Sequence, residues 1–149
     1  MSKRAEVCLR PAKPCERQAL EDLKRRASLA NPADRPHLEA NLDAIELPRS
    51  LIERGEVTVA ELGGRVAGFC VVQRHDGYTE LDGLFVEPEH WRQGVGRALV
   101  ESATHEARHN GHALLVIAGA EARAFYERCG FTFEGAAQTR FGPALRMSR

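Results

Sequence analysis

No mainly apolar stretch of this chain is longer than a β-strand. The longest, Val66 to Val72 and Ala113 to Ala118, fall far short of the ~20 residues that cross a bilayer, which excludes a membrane span. A net charge is also missing. Lys plus Arg (21) balances Asp plus Glu (21), so no overall field draws the molecule to nucleic acid or an anionic membrane. That balance disfavours a general nucleic-acid binder and leaves room for a local anion site. Cysteine is sparse. Cys8, Cys15, Cys70 and Cys129 form no Cys-x-x-Cys pair, which argues against a zinc knuckle or a disulfide framework and for reduced thiols used mostly in packing. The opening Met1-Ser2-Lys3-Arg4-Ala5-Glu6 is charged, but Val7-Cys8-Leu9 before Arg10 is too short for the apolar core of a secretory signal, which points to the cytoplasm. What is present is 149 residues, 43% hydrophobic and 28% charged, enough for one ordinary core and hence one domain over 1–149.

The early part of the chain reads as a strand followed by helices. Val7 to Arg10 is a strand stopped by Pro11, and Pro14 to Leu29 places Ala19, Leu20, Leu23, Ala27 and Leu29 near helical period. Asn31-Pro32 and Arg35-Pro36 interrupt the pattern. Leu38, Ala40, Leu42, Ala44 and Ile45 then suggest a second helix, broken at Leu47-Pro48, and Ser50 to Arg54 a short third. From there the period changes to two. Val57 to Leu62 and Arg65 to Val72 meet across Gly63-Gly64, a dipeptide that supplies positive φ at a two-residue turn, and Asp76-Gly77 leads into a third strand, Tyr78 to Val86. The result is an antiparallel meander. Gly94 to Asn110 reads as a helix ended by Gly111, and Ala113 to Ala118 as a strand covered on both faces. Strand, helix and buried strand make a crossover to a parallel neighbour. Ala120 to Cys129 is a further helix capped by Gly130, with final strands at Phe131 to Phe133 and Ala144 to Met147 around a turn at Gly142-Pro143. The expected fold is therefore α/β, with a mixed, mostly antiparallel sheet and a parallel strand pair after the Gly94 helix.

The most informative segment is Leu84-Phe85-Val86-Glu87-Pro88-Glu89-His90-Trp91-Arg92-Gln93-Gly94-Val95-Gly96-Arg97-Ala98-Leu99. Its glycines stand where a strand hands over to a helix. Phosphates are able to approach the first-turn N–H groups there, which lack intrahelical partners and lie at the positive end of the helix dipole. Arg92 and Arg97 supply further charge. The segment is neither of two better-known phosphate loops: no Gly-Lys-Ser/Thr follows, and Leu99 stands where the dinucleotide fingerprint needs its third glycine. ATP and NAD are therefore disfavoured.

This segment and Glu121-Ala122-Arg123-Ala124-Phe125-Tyr126-Glu127-Arg128-Cys129-Gly130-Phe131 resemble the two signature motifs of the GNAT superfamily of acetyl-CoA-dependent N-acetyltransferases. The order of elements is similar to that family over nearly the whole chain. The resemblance implies that Arg92, Gln93, Gly94, Val95, Gly96 and Arg97 bind the pyrophosphate of coenzyme A, largely through backbone amides. It also implies that main-chain groups of Leu84, Phe85 and Val86 hold the pantetheine arm and polarise the acetyl carbonyl. Acetyl-CoA would lie where the strands before and after the motif helix separate. Two positions depart from the family's pattern: Trp91 replaces a frequent Gln or Arg, and Gly119 a frequent Asn that contacts the coenzyme.

Amide formation from a thioester expels a thiolate and removes a proton from the amine. A phenol of reference pKa about 10 is protonated at neutral pH and suits donation to a sulfur whose acid has a pKa of about 8.5. On residue type alone Tyr126 is better explained by packing beside Phe125 and Phe131; the motif match reverses this and makes it the candidate general acid. Glu80 and Asp82, two residues apart on one strand face, are the candidates for accepting the amine's proton, the other reading being two solvated carboxylates. Asp43 and Glu46 are candidates for attracting a cationic acceptor. That acceptor is a small-molecule or peptide amine, with no nucleic-acid or membrane partner, acting on a monomer or homodimer. A rival reading is a non-catalytic acyl-CoA sensor on the same scaffold, and a related one an enzyme for longer acyl chains. A second rival comes from His105-Glu106-Ala107-Arg108-His109, which matches the His-Glu-x-x-His of zinc hydrolases. Leu99, Val100, Ala103 and Ala107 set the apolar side of that helix, which turns His105 and His109 to water, and no third ligand is evident, so no metal is expected. His75, His90 and His112 read as surface groups at turns and strand edges.

Overall fold

The computed structural model describes residues 6–32, 35–140 and 142–149; the charged Met1 to Ala5 lead-in lies outside them. Its strands are β1 (Val7–Pro11), β2 (Val57–Leu62), β3 (Arg65–His75), β4 (Tyr78–Val86), β5 (Leu114–Ala118), β6 (Thr132–Thr139) and β7 (Gly142–Ser148). The helices are α1 (Arg17–Leu29), α2 (Arg35–Ala40), α3 (Arg49–Glu53), α4 (Val95–His109) and α5 (Arg123–Arg128). The strands form one sheet in the order β1-β2-β3-β4-β5-β7-β6. β4 and β5 run parallel, while the pairs β1/β2, β2/β3, β5/β7 and β6/β7 are antiparallel. This is the mixed sheet with a single parallel crossover that the sequence predicts. No helix among the described residues is long and apolar enough to cross a membrane.

The chain clusters into two compact units, one made of the residues up to Val71 with Leu84–Leu99, the other of Val72–Gly83 with Val100–Arg149. In the first, α1 turns Leu20 and Leu23 onto Leu47, Ile52, Val57, Val59, Phe69 and Val71, all buried, with Ala27 and Phe85 at the margin. The i, i+3, i+7 spacing of Leu20, Leu23 and Ala27 gives the helix one apolar stripe. Gly63 (φ 60°) and Gly64 (φ 77°) turn β2 into β3 as a two-residue turn that needs positive φ at both positions. An ionic knot closes the other end of this unit. Arg10 of β1 donates to both carboxylate oxygens of Glu16 at 2.8 Å and to Glu61 of β2 at 2.5 Å. The hydrogen bonds from Arg10 lower the Glu16 carboxyl to about 2.

In the second unit, α4 buries Val100, Ala103, Thr104 and Ala107. Thr104 satisfies its hydroxyl on the Val100 carbonyl one turn back, at 2.8 Å. Buried Thr79 is paired at both ends: its N–H donates to Ala113 at 3.2 Å, and its hydroxyl meets His112 Nδ1 at 3.0 Å. β5 buries Leu114, Val116 and Ala118 on one face but leaves Leu115 and Ile117 half-buried, so it is closed on one side rather than both.

Several local expectations are corrected. The helix from Pro14 is a 3-10 turn, Pro14–Glu16, followed by α1. Arg35-Pro36 opens α2 instead of interrupting a helix, because a proline in the first turn lacks an N–H that would have no intrahelical partner. Leu42–Ile45 is a separate 3-10 turn, as is Ala120–Ala122 before α5. Gly142 and Pro143 are not a turn but the first residues of β7. Their pairing is with β6 alone, the β5 ladder beginning only at Leu145, so Pro143 breaks no bond to β5. Cys70 and Cys129 are buried, but Cys8 and Cys15 are exposed and pack little.

Candidate active site

In the first unit, the chain leaving β4 is pinned before it turns. Glu87 N–H donates to Ala67 of β3 at 2.8 Å, and the Glu87 carboxylate pairs with Arg26 of α1 at 2.8 Å. A 3-10 turn, Pro88–His90, follows. Arg92 then takes φ 64°, the one positive φ outside glycine among the described residues, and Gly94 takes φ 84°. Left-handed positions cost a side chain energy, so an arginine there is held by its surroundings. The first bond into α4 is Ala98 N–H to Gly94 C=O at 3.0 Å, so the N–H groups of Val95, Gly96 and Arg97 come before the helix's own hydrogen-bond ladder. A Cβ added at Gly94 would meet nothing within 4 Å. Val95 is buried and fixes the turn, while the Arg92, Gln93 and Arg97 side chains are exposed. The N–H groups at the start of a 15-residue helix, with exposed Arg92 and Arg97 close by in the chain, suit a phosphate or pyrophosphate chemically.

Leu84, Phe85 and Val86 are half-buried at the end of β4. Gly68 of β3 makes their position possible: a Cβ there would stand 2.7 Å from the Phe85 carbonyl oxygen. Phe85 also meets Phe69 at 5.2 Å between centroids and carries Lys24 over its ring at 5.3 Å. Trp91, half-exposed, donates its indole N–H to the Val86 carbonyl at 2.9 Å. The residue that departs from the family's first motif thus engages one of the main-chain groups the resemblance implicates, a connection that sequence reading missed. The ladder between β4 and β5 covers only Thr79–Leu81 against Leu114–Val116, while β4 runs on to Val86.

The second unit holds the acid and base candidates. Tyr126 is 7% exposed, edge-on to Phe125 and Phe131 at 5.1 and 5.2 Å, and its carbonyl accepts from Cys129 and Phe131 at 3.0 Å. Both the loop back to β6 and the ring are therefore fixed. Gly119 is closed over by the Glu121 carboxylate, which any side chain at 119 would displace. Glu80 and Asp82 share a face of β4, as their spacing predicts, but their surroundings differ. Glu80 is half-buried with Oε1 2.9 Å from His75 Nε2, whereas Asp82 is exposed.

The remaining candidates fall elsewhere. Asp43 and Glu46 line a cavity of about 630 Å³ together with Arg17, Glu21, Arg25 and Arg49. Glu21 holds the far wall by accepting from Leu47 N–H at 2.9 Å. His105, Glu106 and His109 are exposed on α4, and no group of three or more metal-binding side chains exists among the described residues. The other histidines are more engaged than surface groups: His90 has a buried ring nitrogen, Nδ1, without a partner, and His75 and His112 bond Glu80 and Thr79.

Comparison with known proteins adds an independent line. Residues 53–133 match the family model described as an acetyltransferase (GNAT) domain, a span that contains both motifs. No curated protein sequence matches the chain. Among solved structures, it is similar to the PaiA N-acetyltransferase of Thermoplasma acidophilum, solved with coenzyme A, with a TM-score of 0.80 at 17% identity over 97% of this chain and 98% of that one. It is similar to the ribosomal-protein-S18-alanine N-acetyltransferase of Escherichia coli, with a TM-score of 0.70 at 24% identity over 96% and 92%. A nourseothricin acetyltransferase aligns at 34% identity over 62% of each chain, with a TM-score of 0.56. At identities below a quarter, the first two likenesses concern the fold.

Proposed function

The chain belongs to the GNAT acetyltransferase family, whose co-substrate is acetyl-CoA, and from that premise we propose that it is an N-acetyltransferase acting on a primary amine of a small molecule or peptide. The observation that carries the reading is the start of α4 after β4, where the N–H groups of Val95, Gly96 and Arg97 precede the first intrahelical bond and Gly94 takes a positive φ. Those groups, with Arg92 and Arg97, bind the pyrophosphate. Main-chain groups of Leu84, Phe85 and Val86 orient the pantetheine arm and the acetyl carbonyl.

In this reading Glu80 accepts a proton from the amine as its nitrogen forms a bond to the thioester carbonyl carbon. The carbon–sulfur bond breaks, and Tyr126 donates its phenolic proton to the departing sulfur, giving the acetamide and the free thiol of coenzyme A. Transfer is direct, with no acyl group on the enzyme. The half-buried, hydrogen-bonded setting of Glu80 favours it over exposed Asp82 as the base. The likeness to a ribosomal-protein-S18-alanine N-acetyltransferase supports an amine acceptor.

A thermal-shift series with acetyl-CoA, coenzyme A, ATP, NAD and zinc tests the coenzyme assignment, since a ligand at about 100 times its Kd stabilises by roughly 2.7 kcal/mol. A shift confined to the CoA compounds, followed by thiol release on adding amines, is expected. Binding without turnover of any amine would favour the acyl-CoA sensor, and faster thiol release from longer acyl-CoAs would reassign the acyl group.

A further inference from the structure

We infer that His75 is a positioning residue for proton transfer, holding the Glu80 carboxylate in place for the incoming amine; this rests on the reading of Glu80 as the base. The β3–β4 turn at Asp76-Gly77, with Gly77 at φ 82°, sets His75 and Tyr78 side by side, and their rings stack at 4.7 Å with an interplanar angle of 20°. Glu80 is the next residue on the Tyr78 face of β4, and its Oε1 lies 2.9 Å from His75 Nε2. An ionised carboxylate only accepts hydrogen bonds, so in this contact Nε2 carries the proton and donates it. Tyr78 fixes the plane of the imidazole, and the imidazole fixes the carboxylate.

The main chain at Glu80 is already rigid, because Glu80 pairs with Leu115 of β5 and its neighbours Thr79 and Leu81 are buried. The freedom left is in the side chain, and glutamate is among the residues with most rotamer freedom to lose. The bond from His75 removes that freedom at one oxygen and leaves Oε2 for the amine. Asp82, on the same face, is exposed and has no comparable anchor among the described residues. His75 keeps its own proton throughout: the amine's proton passes to Glu80 as the nitrogen–carbon bond forms, and the sulfur is protonated by Tyr126.

The test is a double-mutant cycle on the full chain, using acetyl-CoA with a panel of a polyamine, an amino sugar and a peptide with a free N-terminus. His75→Phe keeps a ring against Tyr78 without a donor, and His75→Gln keeps an N–H donor. Glu80→Gln is expected to lower kcat about 100-fold, and His75→Phe about 10-fold with KM for acetyl-CoA unchanged. His75→Gln should recover most of that loss, and His75→Phe should add nothing in the Glu80→Gln background. Wild-type kcat in His75→Phe, or an equal loss in both backgrounds, would overturn the inference. If His75→Phe does not fold, absence of any difference in kcat or KM between His75→Gln and His75→Ala would overturn it as well. Wild-type kcat in Glu80→Gln would instead overturn Glu80 as the base, and no turnover of any amine by the unaltered protein would overturn the acetyl-transfer reading itself.

Discussion

The loop from Arg92 to Arg97 and the surroundings of Tyr126 achieve order in opposite ways. In the loop the available groups are main-chain N–H, the side chains point into water, and only Val95 is buried. Around Tyr126 the main chain is spent on its own turn, with Cys129 and Phe131 both bonded to its carbonyl, and the ring is fixed between two aromatic neighbours. A site made of backbone depends on conformation and tolerates many side chains. One made of a side chain depends on that residue and tolerates changes in conformation poorly. On the proposed reading the loop is a site of the first kind, which accommodates a tryptophan at position 91, and the difference sets what each kind of substitution should do.

The largest effect should come from breaking the conformation. Gly94→Val with Gly96→Val forces a β-branched residue into φ 84° at position 94, where space is open but the dihedral is unfavourable. Loss of coenzyme binding by more than about 100-fold is expected in titration calorimetry, with the protein still folded by circular dichroism. Retained affinity would remove the backbone from the binding site. Removing one atom from the side-chain site should act on a different quantity. Tyr126→Phe is expected to lower kcat by about 100-fold and leave the Kd for acetyl-CoA within about twofold, as for loss of a general acid. Unchanged turnover would take Tyr126 out of the mechanism.

A smaller effect tests whether the loop tolerates side-chain change. Arg92→Gly relieves an unfavourable φ and should stabilise the fold by roughly 1 kcal/mol in denaturant melts, while weakening coenzyme affinity only severalfold and chiefly at low salt. A loss of affinity as large as that of the glycine variants would make the loop a side-chain site after all. The smallest effect lies in the first unit, away from both. Because the bonds from Arg10 lower Glu16 from 4.5 to about 2, its contribution to stability is complete above pH 4.5 and is lost as pH falls towards 2. Wild type should lose on the order of 1 kcal/mol more than Glu16→Gln across that interval in acid titrations, since the group is partly exposed and screened.

The parts of the fold legible in the sequence are those where one local rule has no competitor. Gly63-Gly64 specifies its hairpin, alternation specifies β2, and the limits of β4 are set by Asp76-Gly77 and Pro88. Where two local signals overlap, boundaries shift. Arg35-Pro36 is compatible with an end or a beginning of a helix, and Leu42–Ile45 continues an apolar pattern while winding as a tighter turn. Gly142-Pro143 looks like a turn until its partner strands are known. Within the candidate site, Gly94 and Gly96 are visible as glycines between a strand and a helix. Trp91 on Val86 and His75 on Glu80 are not, because each depends on where a side chain folds back across a turn.

By itself the sequence determined the α/β class, the parallel crossover and the family, since these follow from periodicity, turn residues and two contiguous motifs. Tertiary structure alone decided how equivalent-looking residues divide: Glu80 bonded and Asp82 exposed, Cys70 buried and Cys15 not, Arg92 bent into a glycine-like conformation. The reason is physical. Local propensity acts through neighbours along the chain, whereas burial, hydrogen-bond partners and strain are set by residues that only folding brings within reach.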